Sequence, residues 1–353
     1  MSAGVTENSP AHECSRVNYA APAAFLAGDE NVFTLPLFRF ESGALLPDMR
    51  IGYVTHGRLN PARDNAVLLL PGTANTRHSA DGYIGPENAL DPQRDFIIAV
   101  DAIGAGTSSQ PADGLGASFP AYSIRDMVHA QHALVSRCFG LARLKAVMGA
   151  SMGAFQALEW AIHYPDMPAA AVLIVPAARA GNVFRGVVAA GLEVLRLDPL
   201  WNGGAYTANP VGGLRAAGRL YYPWTVADDY IERLPPENLE RELRGTIERA
   251  AQWDAWNFIR RYEAAANHDV CVPFGGNLEA ALSRVKAHTL ILPTSTERLL
   301  GLQTARDIAA HVKSAKYLEV PSARGHLGWR AVPGAPETRF IAAHVSQFLK
   351  PET

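Results

Sequence analysis

Cysteine is scarce in this chain. Only Cys14, Cys138 and Cys271 occur in 353 residues, and no two are spaced as C-x-x-C. That argues against a disulfide framework and against a cysteine-built zinc site, so no metal is expected. No basic block stands out either: Lys+Arg number 32 against Asp+Glu 34, a formal net charge of −2. A nucleic acid or an anionic membrane surface would need a basic footprint, and neither is expected as a partner. Apolar runs stay well below the length that spans a bilayer. The N-terminus carries Glu7, Glu13 and only Arg16 before a short apolar patch at 20–28. A secretory signal has a basic start and a longer apolar core, so the expectation is a cytoplasmic protein. Internal repeats and low-complexity tracts are lacking as well.

What remains is globular composition, 48% hydrophobic and 19% charged. This suits one large domain with an insertion, or two smaller ones. Residues 1–28, rich in Ala, Ser and Pro, read as a loosely ordered arm. Segments 31–40 and 49–55 read as strands whose short link favours an antiparallel pair. Short apolar runs follow at 66–70, 96–100, 144–148, 170–175, 289–292 and 317–320, as in parallel strands buried on both faces. Helical patterns separate several of them. In 124–138, Ile124, Met127, Val128, Leu134, Val135 and Cys138 share one side, with Ser123 as cap and Gly140 after the end. A second helix is expected over 304–312.

Alternating strands and helices predict an α/β fold with a mostly parallel, doubly wound sheet. The alternation breaks over 177–287, where four of the six tryptophans lie (Trp201, Trp224, Trp253, Trp256). That stretch reads as a helical lid inserted between two strands of a core formed by 29–176 and 288–353.

The chemistry gathers at Gly149-Ala150-Ser151-Met152-Gly153. An apolar run ends there and a helical one begins at Phe155. G-x-S-x-G in that context is a nucleophile elbow, in which two glycines allow a turn tight enough to push the serine hydroxyl off the sheet edge. The helix N-terminus adds partial positive charge where an oxyanion would form.

A serine so presented needs a base, and the base an orienting acid, in the chain order Ser, acid, His. Of 11 histidines, His326 follows the last predicted strand, after Gly325, and is preferred. His129, His132, His163, His288 and His311 fall on helices or at a strand start, where packing or solvent explains them. The loop after 289–292 contains one acid, Glu297. The loop after 170–175, Pro176-Ala177-Ala178-Arg179, contains none, so Glu297 takes the role by elimination. The oxyanion donors are then the N–H groups of Met152 and of Thr73, in the loop Pro71-Gly72-Thr73-Ala74-Asn75. The glycine-containing 103–108 lacks a following helix and a lysine, and reads as a plain surface loop, not a phosphate cradle.

With these residues in hand, the chain resembles the homoserine O-acetyltransferase-like branch of the α/β-hydrolases from about Phe38 to Leu349. The likeness is carried by Tyr53-Val54-Thr55-His56-Gly57-Arg58-Leu59-Asn60, Phe119-Pro120, Ile124-Arg125-Asp126-Met127-Val128 and the elbow. Gln156-Ala157-Leu158-Glu159-Trp160-Ala161, Tyr164-Pro165-Asp166 and Asp198-Pro199-Leu200-Trp201-Asn202-Gly203-Gly204 add to it. The resemblance implies the α/β-hydrolase fold, a Ser151-Glu297-His326 triad, and a lid arginine near Arg219 that reaches the substrate. It also implies no metal or bound organic cofactor, acetyl-CoA or another acyl-CoA as a donor substrate, and the homodimer common in the family.

Three departures bear on the substrate. The triad acid is Glu, not the usual Asp, and Leu300-Gly301 stands where Phe-Pro is usual. Ala150 and Ala154 replace glycines common in the transferases. The family's Gly-His-Asp-Ala-Phe-Leu reads Gly325-His326-Leu327-Gly328-Trp329-Arg330.

The sequence therefore predicts a serine acyl-enzyme catalyst, an ester hydrolase or acyltransferase acting on a small acyl compound, with a lean to hydrolysis. Leu327, Tyr221, Tyr222 and Trp224 suit an apolar group better than an amino acid, whose ammonium needs a paired carboxylate. Asp228 or Asp229 is the alternative source of that charge. Homoserine acetylation is the second reading, and a non-catalytic ligand-binding scaffold the third.

Overall fold

A computed structural model of the chain describes residues 30–86 and 88–350. The strands are β1 (Glu30–Arg39), β2 (Leu45–His56), β3 (Ala66–Leu70), β4 (Phe96–Val100), β5 (Leu144–Ala150), β6 (Pro168–Ile174), β7 (His288–Leu292) and β8 (Ala315–Tyr317). They form one sheet in the order β1-β2-β4-β3-β5-β6-β7-β8. β1 and β2 pair antiparallel, as do β2 and β4, and every pairing from β4 through β8 is parallel. Every residue of β3 and β4 is buried. Their unbroken apolar runs reflect cover on both faces.

The helices are α1 (Ile124–Ala133), α2 (Met152–His163), α3 (Asn182–Arg196), α4 (Val211–Thr225), α5 (Asp228–Glu232), α6 (Pro236–Ala251), α7 (Ala255–Ala266), α8 (Leu278–Leu282), α9 (Leu302–His311) and α10 (Pro336–Phe348). Ser123 caps α1 reciprocally: its Oγ accepts from Asp126 N at 3.0 Å, and Asp126 Oδ2 accepts from Ser123 N at 2.8 Å. The single helix expected over 124–138 changes pitch, with a π-helical turn at Leu134–Cys138 completing it. Among the described residues, no helix is long and apolar enough to cross a membrane.

The chain leaves the sheet after β6, runs through α3 to α8, and re-enters at β7. β6 and β7 are hydrogen-bonded neighbours, with Ala170 opposite His288 and Ile174 opposite Leu292. The helical stretch is thus an excursion from the sheet with its two ends side by side. The arm expected over 1–28 lies outside the described residues.

Two expectations fail locally. The strand expected at 317–320 ends at Tyr317. Val320 then makes only an isolated bridge to Thr294 as the chain turns toward His326. The segment 103–108 is not a surface loop, since Ile103, Ala105 and Ser108 are buried. The cause is the almost fully buried Asp101, whose carboxylate pairs with the Arg77 guanidinium and accepts from Arg77 N at 2.8 Å and Thr107 N at 3.0 Å. These bonds fold the loop back over the sheet edge.

Candidate active site

Ser151 stands between β5 and α2 with φ 57° and ψ −124°, a left-handed conformation that a non-glycine residue rarely adopts. The strain is held by local bonds. Ser151 N donates to Ile174 O at 2.9 Å, and Ser151 O accepts from Ala154 N at 2.8 Å and Phe155 N at 3.1 Å. Gly153 permits the turn, because a Cβ there would sit 2.3 Å from Leu70 O.

His326 Nε2 lies 2.9 Å from Ser151 Oγ, and its Nδ1 lies 2.7 Å from Glu297 Oε2. The ring is carried on a 3-10 turn, Gly325–Trp329. Gly325 has φ 59°, and a Cβ on it would meet Ala227 N and Val226 C at 2.6 Å. Glu297 Oε1 accepts from Leu299 N at 2.9 Å and Leu300 N at 3.1 Å. The carboxylate therefore caps its own turn with one oxygen and holds the imidazole with the other. Both groups are nearly dry, with Glu297 7% and His326 5% exposed, which strengthens the bond between them.

Neither Thr73 N–H nor Met152 N–H has an acceptor among the described residues. Met152 N–H is an orphan donor at the start of α2, and Thr73 follows β3 in the neighbouring loop. Two positioned serine-side donors, a base and an oriented acid are the parts an acyl-transfer reaction requires.

That loop is braced from an unexpected direction. Arg261, on α7, is wholly buried. Its Nε donates to Thr73 O at 2.7 Å, and its Nη2 donates to Gly72 O at 2.7 Å and Asn75 O at 3.2 Å. The guanidinium also lies over the Trp253 ring at 5.3 Å, and burial pushes its pKa down. No sequence motif marks Arg261. The available signal was a charge at i+3 from Phe258 and i−4 from Ala265, in the middle of a helix's buried stripe.

A cavity of about 120 Å³ opens above Ser151 and His326. Phe184, Tyr221, Phe258, Tyr262 and Leu327 give it an apolar wall, Asn75 and Thr246 add polar groups, and among the described residues no Asp or Glu lines it. Leu327, expected to contact substrate, lies in that wall. Tyr222 is buried behind the wall and donates its hydroxyl to Glu242 Oε2 at 2.7 Å. Arg219 is exposed, off the cavity, because helix geometry turns its neighbour Gly218 inward instead. Asp228 pairs with Arg298 and Asp229 with Arg233, both away from the lining. Arg249 and Arg330, which do line it, were not singled out from the sequence.

Of the histidines set aside, His129 and His132 serve packing. His129 Nδ1 lies 2.8 Å from the Tyr164 hydroxyl, and His132 stacks on the Tyr164 ring at 3.9 Å. Among the described residues, no cluster of His, Cys, Asp and Glu is arranged to hold a metal ion.

Residues 65–328 match the alpha/beta hydrolase fold family. The chain is 33% identical over 335 residues to the homoserine O-acetyltransferase of Thermobifida fusca (strain YX), covering 84% of this chain and 87% of that one. It is 30% identical over 314 residues to the ethyl acetate hydrolase of Pseudomonas veronii, covering 84% and 88%. The crystal structure of an acetylester hydrolase from Corynebacterium glutamicum superposes with a TM-score of 0.86 at 27% identity, over 91% of this chain and 96% of that one.

Proposed function

The chain belongs to the alpha/beta hydrolase fold family, in its homoserine O-acetyltransferase-like branch, and from that premise we propose that it hydrolyses a small ester through an acyl-enzyme on Ser151. The relatives include both acyltransferases and esterases, so a serine acyl-enzyme catalyst is common ground. In this reading His326 takes the Ser151 proton as Oγ attacks the ester carbonyl. The tetrahedral oxyanion is held by Thr73 N–H and Met152 N–H, and His326 returns the proton to the departing alcohol. Water, deprotonated by the same ring, then attacks the acyl-enzyme, and the acid leaves as His326 returns that proton to Ser151 Oγ. Glu297 fixes the tautomer and supports the imidazolium. These groups supply nucleophile, base and oxyanion contacts between them, so the reading includes no resident cofactor, and an acyl-CoA would enter only as a substrate.

One observation carries hydrolysis over transfer to homoserine: among the described residues, no carboxylate lines the cavity. An amino-acid acceptor brings an ammonium, which is costly to enclose without an anionic partner. A site lacking a required polar partner rejects such a substrate strongly. The second reading, homoserine acetylation, is favoured by the 33% identical relative named for that activity.

The experiment is direct. Purified protein is offered short esters alone, and separately acetyl-CoA with homoserine, following free thiol and O-acetylhomoserine. Ester turnover without an acceptor supports hydrolysis; efficient, saturable O-acetylhomoserine formation at millimolar homoserine overturns it. The reading includes a cytoplasmic location and a homodimer, to be checked by cell fractionation and by light scattering.

A further inference from the structure

Two guanidinium groups face the cavity above Ser151 without an ion-pairing acid among the described residues. Arg249, near the end of α6, and Arg330, just past the turn that carries His326, both line it. Neither forms an ion pair with a described carboxylate, and Arg249 donates only to Thr246 Oγ1, at 2.9 Å. Glu242 is the acid whose charge acts on both, and its two oxygens already accept the Tyr222 and Tyr230 hydroxyls. A third cation, Arg324, is turned aside over the Tyr230 ring at 5.9 Å.

Burial, with Arg249 and Arg324 nearby, pushes the Arg330 guanidinium down to about 10, so it stays cationic at neutral pH against repulsion. Arg249, exposed at the rim, is only partly desolvated, which lowers its guanidinium against the opposing charge of Glu242. Like charges that share one already hydrogen-bonded carboxylate at a partly dry cavity are unfavourable, and arginine pairs are the usual receptors for carboxylates.

We propose that the substrate is a short ester bearing a free carboxylate, which docks between Arg249 and Arg330 while the ester carbonyl lies at Ser151. This rests on the ester-hydrolase reading and narrows it. The same two cations repel an ammonium, so a zwitterionic amino acid loses at one end what it gains at the other. The carboxylate sits on either the acyl or the alcohol side, and paired isosteres distinguish the two.

For the acyl side, monomethyl succinate is compared with methyl isocaproate; for the alcohol side, acetoxyacetate is compared with isobutyl acetate. In one pair, the carboxylate member is hydrolysed with kcat/KM about tenfold or more above its neutral isostere. Arg330→Met and Arg249→Met each shrink that ratio, and added salt shrinks it in the unmodified enzyme. Arg249 is exposed at the rim, so its variant serves if Arg330→Met fails to fold. Calorimetric binding of the same four compounds to Ser151→Ala reads the preference without turnover. Neutral isosteres favoured in both pairs, or a ratio untouched by both variants, overturns the proposal. If no ester is turned over yet Ser151→Ala binds a carboxylate member selectively, the hydrolase reading falls and the anion site stands.

Discussion

Arg261 Nε lies 2.7 Å from the carbonyl oxygen of Thr73, a bond that spans 188 positions of sequence. It braces the residue whose N–H is assigned to the oxyanion, and the Nη2 bond to Gly72 O holds the peptide that carries that N–H, both from a helix that belongs to the excursion between β6 and β7. Arg261→Lys keeps the charge but not the fork that reaches Gly72 and Asn75 as well. The expected result is a kcat lower by about 10- to 100-fold with KM little changed, since displacement of a reacting group by about an ångström costs this much. A lowered Tm with kcat intact would mean that the brace serves folding alone.

Ser151→Ala abolishes covalent labelling by a fluorophosphonate, and peptide mass analysis places the label on Ser151 in the unmodified enzyme. Turnover falls by roughly four or more orders of magnitude. Labelling that survives the substitution removes Ser151 from the mechanism.

Glu297→Gln keeps the two backbone acceptor bonds within reach but presents the imidazole with the wrong partner. Turnover drops by about 10²–10⁴-fold with thermal stability nearly preserved. Near-full activity would mean that another carboxylate orients His326.

His268 sets an acid limit on the fold. It is buried, stacks on Phe155 at 4.5 Å and lies 3.0 Å from Ala177 O through Nε2. Burial lowers its pKa, outweighing the opposing pull of Glu159, with Arg125 acting in the same direction as burial and Asp269 against it. The unfolded chain then binds more protons than the folded one as pH falls through about 6.5, and stability is lost in that direction. This one group contributes a slope of up to about 1.4 kcal/mol per pH unit. Urea midpoints measured from about pH 7.5 to about pH 5 should fall, and less steeply in His268→Gln.

Much of this was legible because the governing physics is local. β3 and β4 are apolar at every position because both faces are covered. The elbow is written in five residues because only glycine tolerates the approach of Leu70 O at position 153. Glu297 was reachable by elimination, since two loops offered one acid between them. The cavity arginines were not, because Arg249 and Arg330 read as surface charges until α6 and the His326 turn are brought together. Arg219 misled for the opposite reason: a shift of one residue on a helix swings a side chain about 100° around the axis. The 103–108 loop was misread because its burial depends on Asp101 and Arg77, 24 positions apart.

The adjacency of β6 and β7 makes the intervening helices a cassette, open to exchange without rethreading the sheet. Arg261 sets a condition on any such transplant. A replacement cassette must deliver its own guanidinium to the Gly72, Thr73 and Asn75 carbonyls, or leave that loop slack. An exchanged cassette therefore brings one wall of the pocket, with the arginine travelling alongside it, while Leu299, Leu327 and Arg330 stay with the sheet.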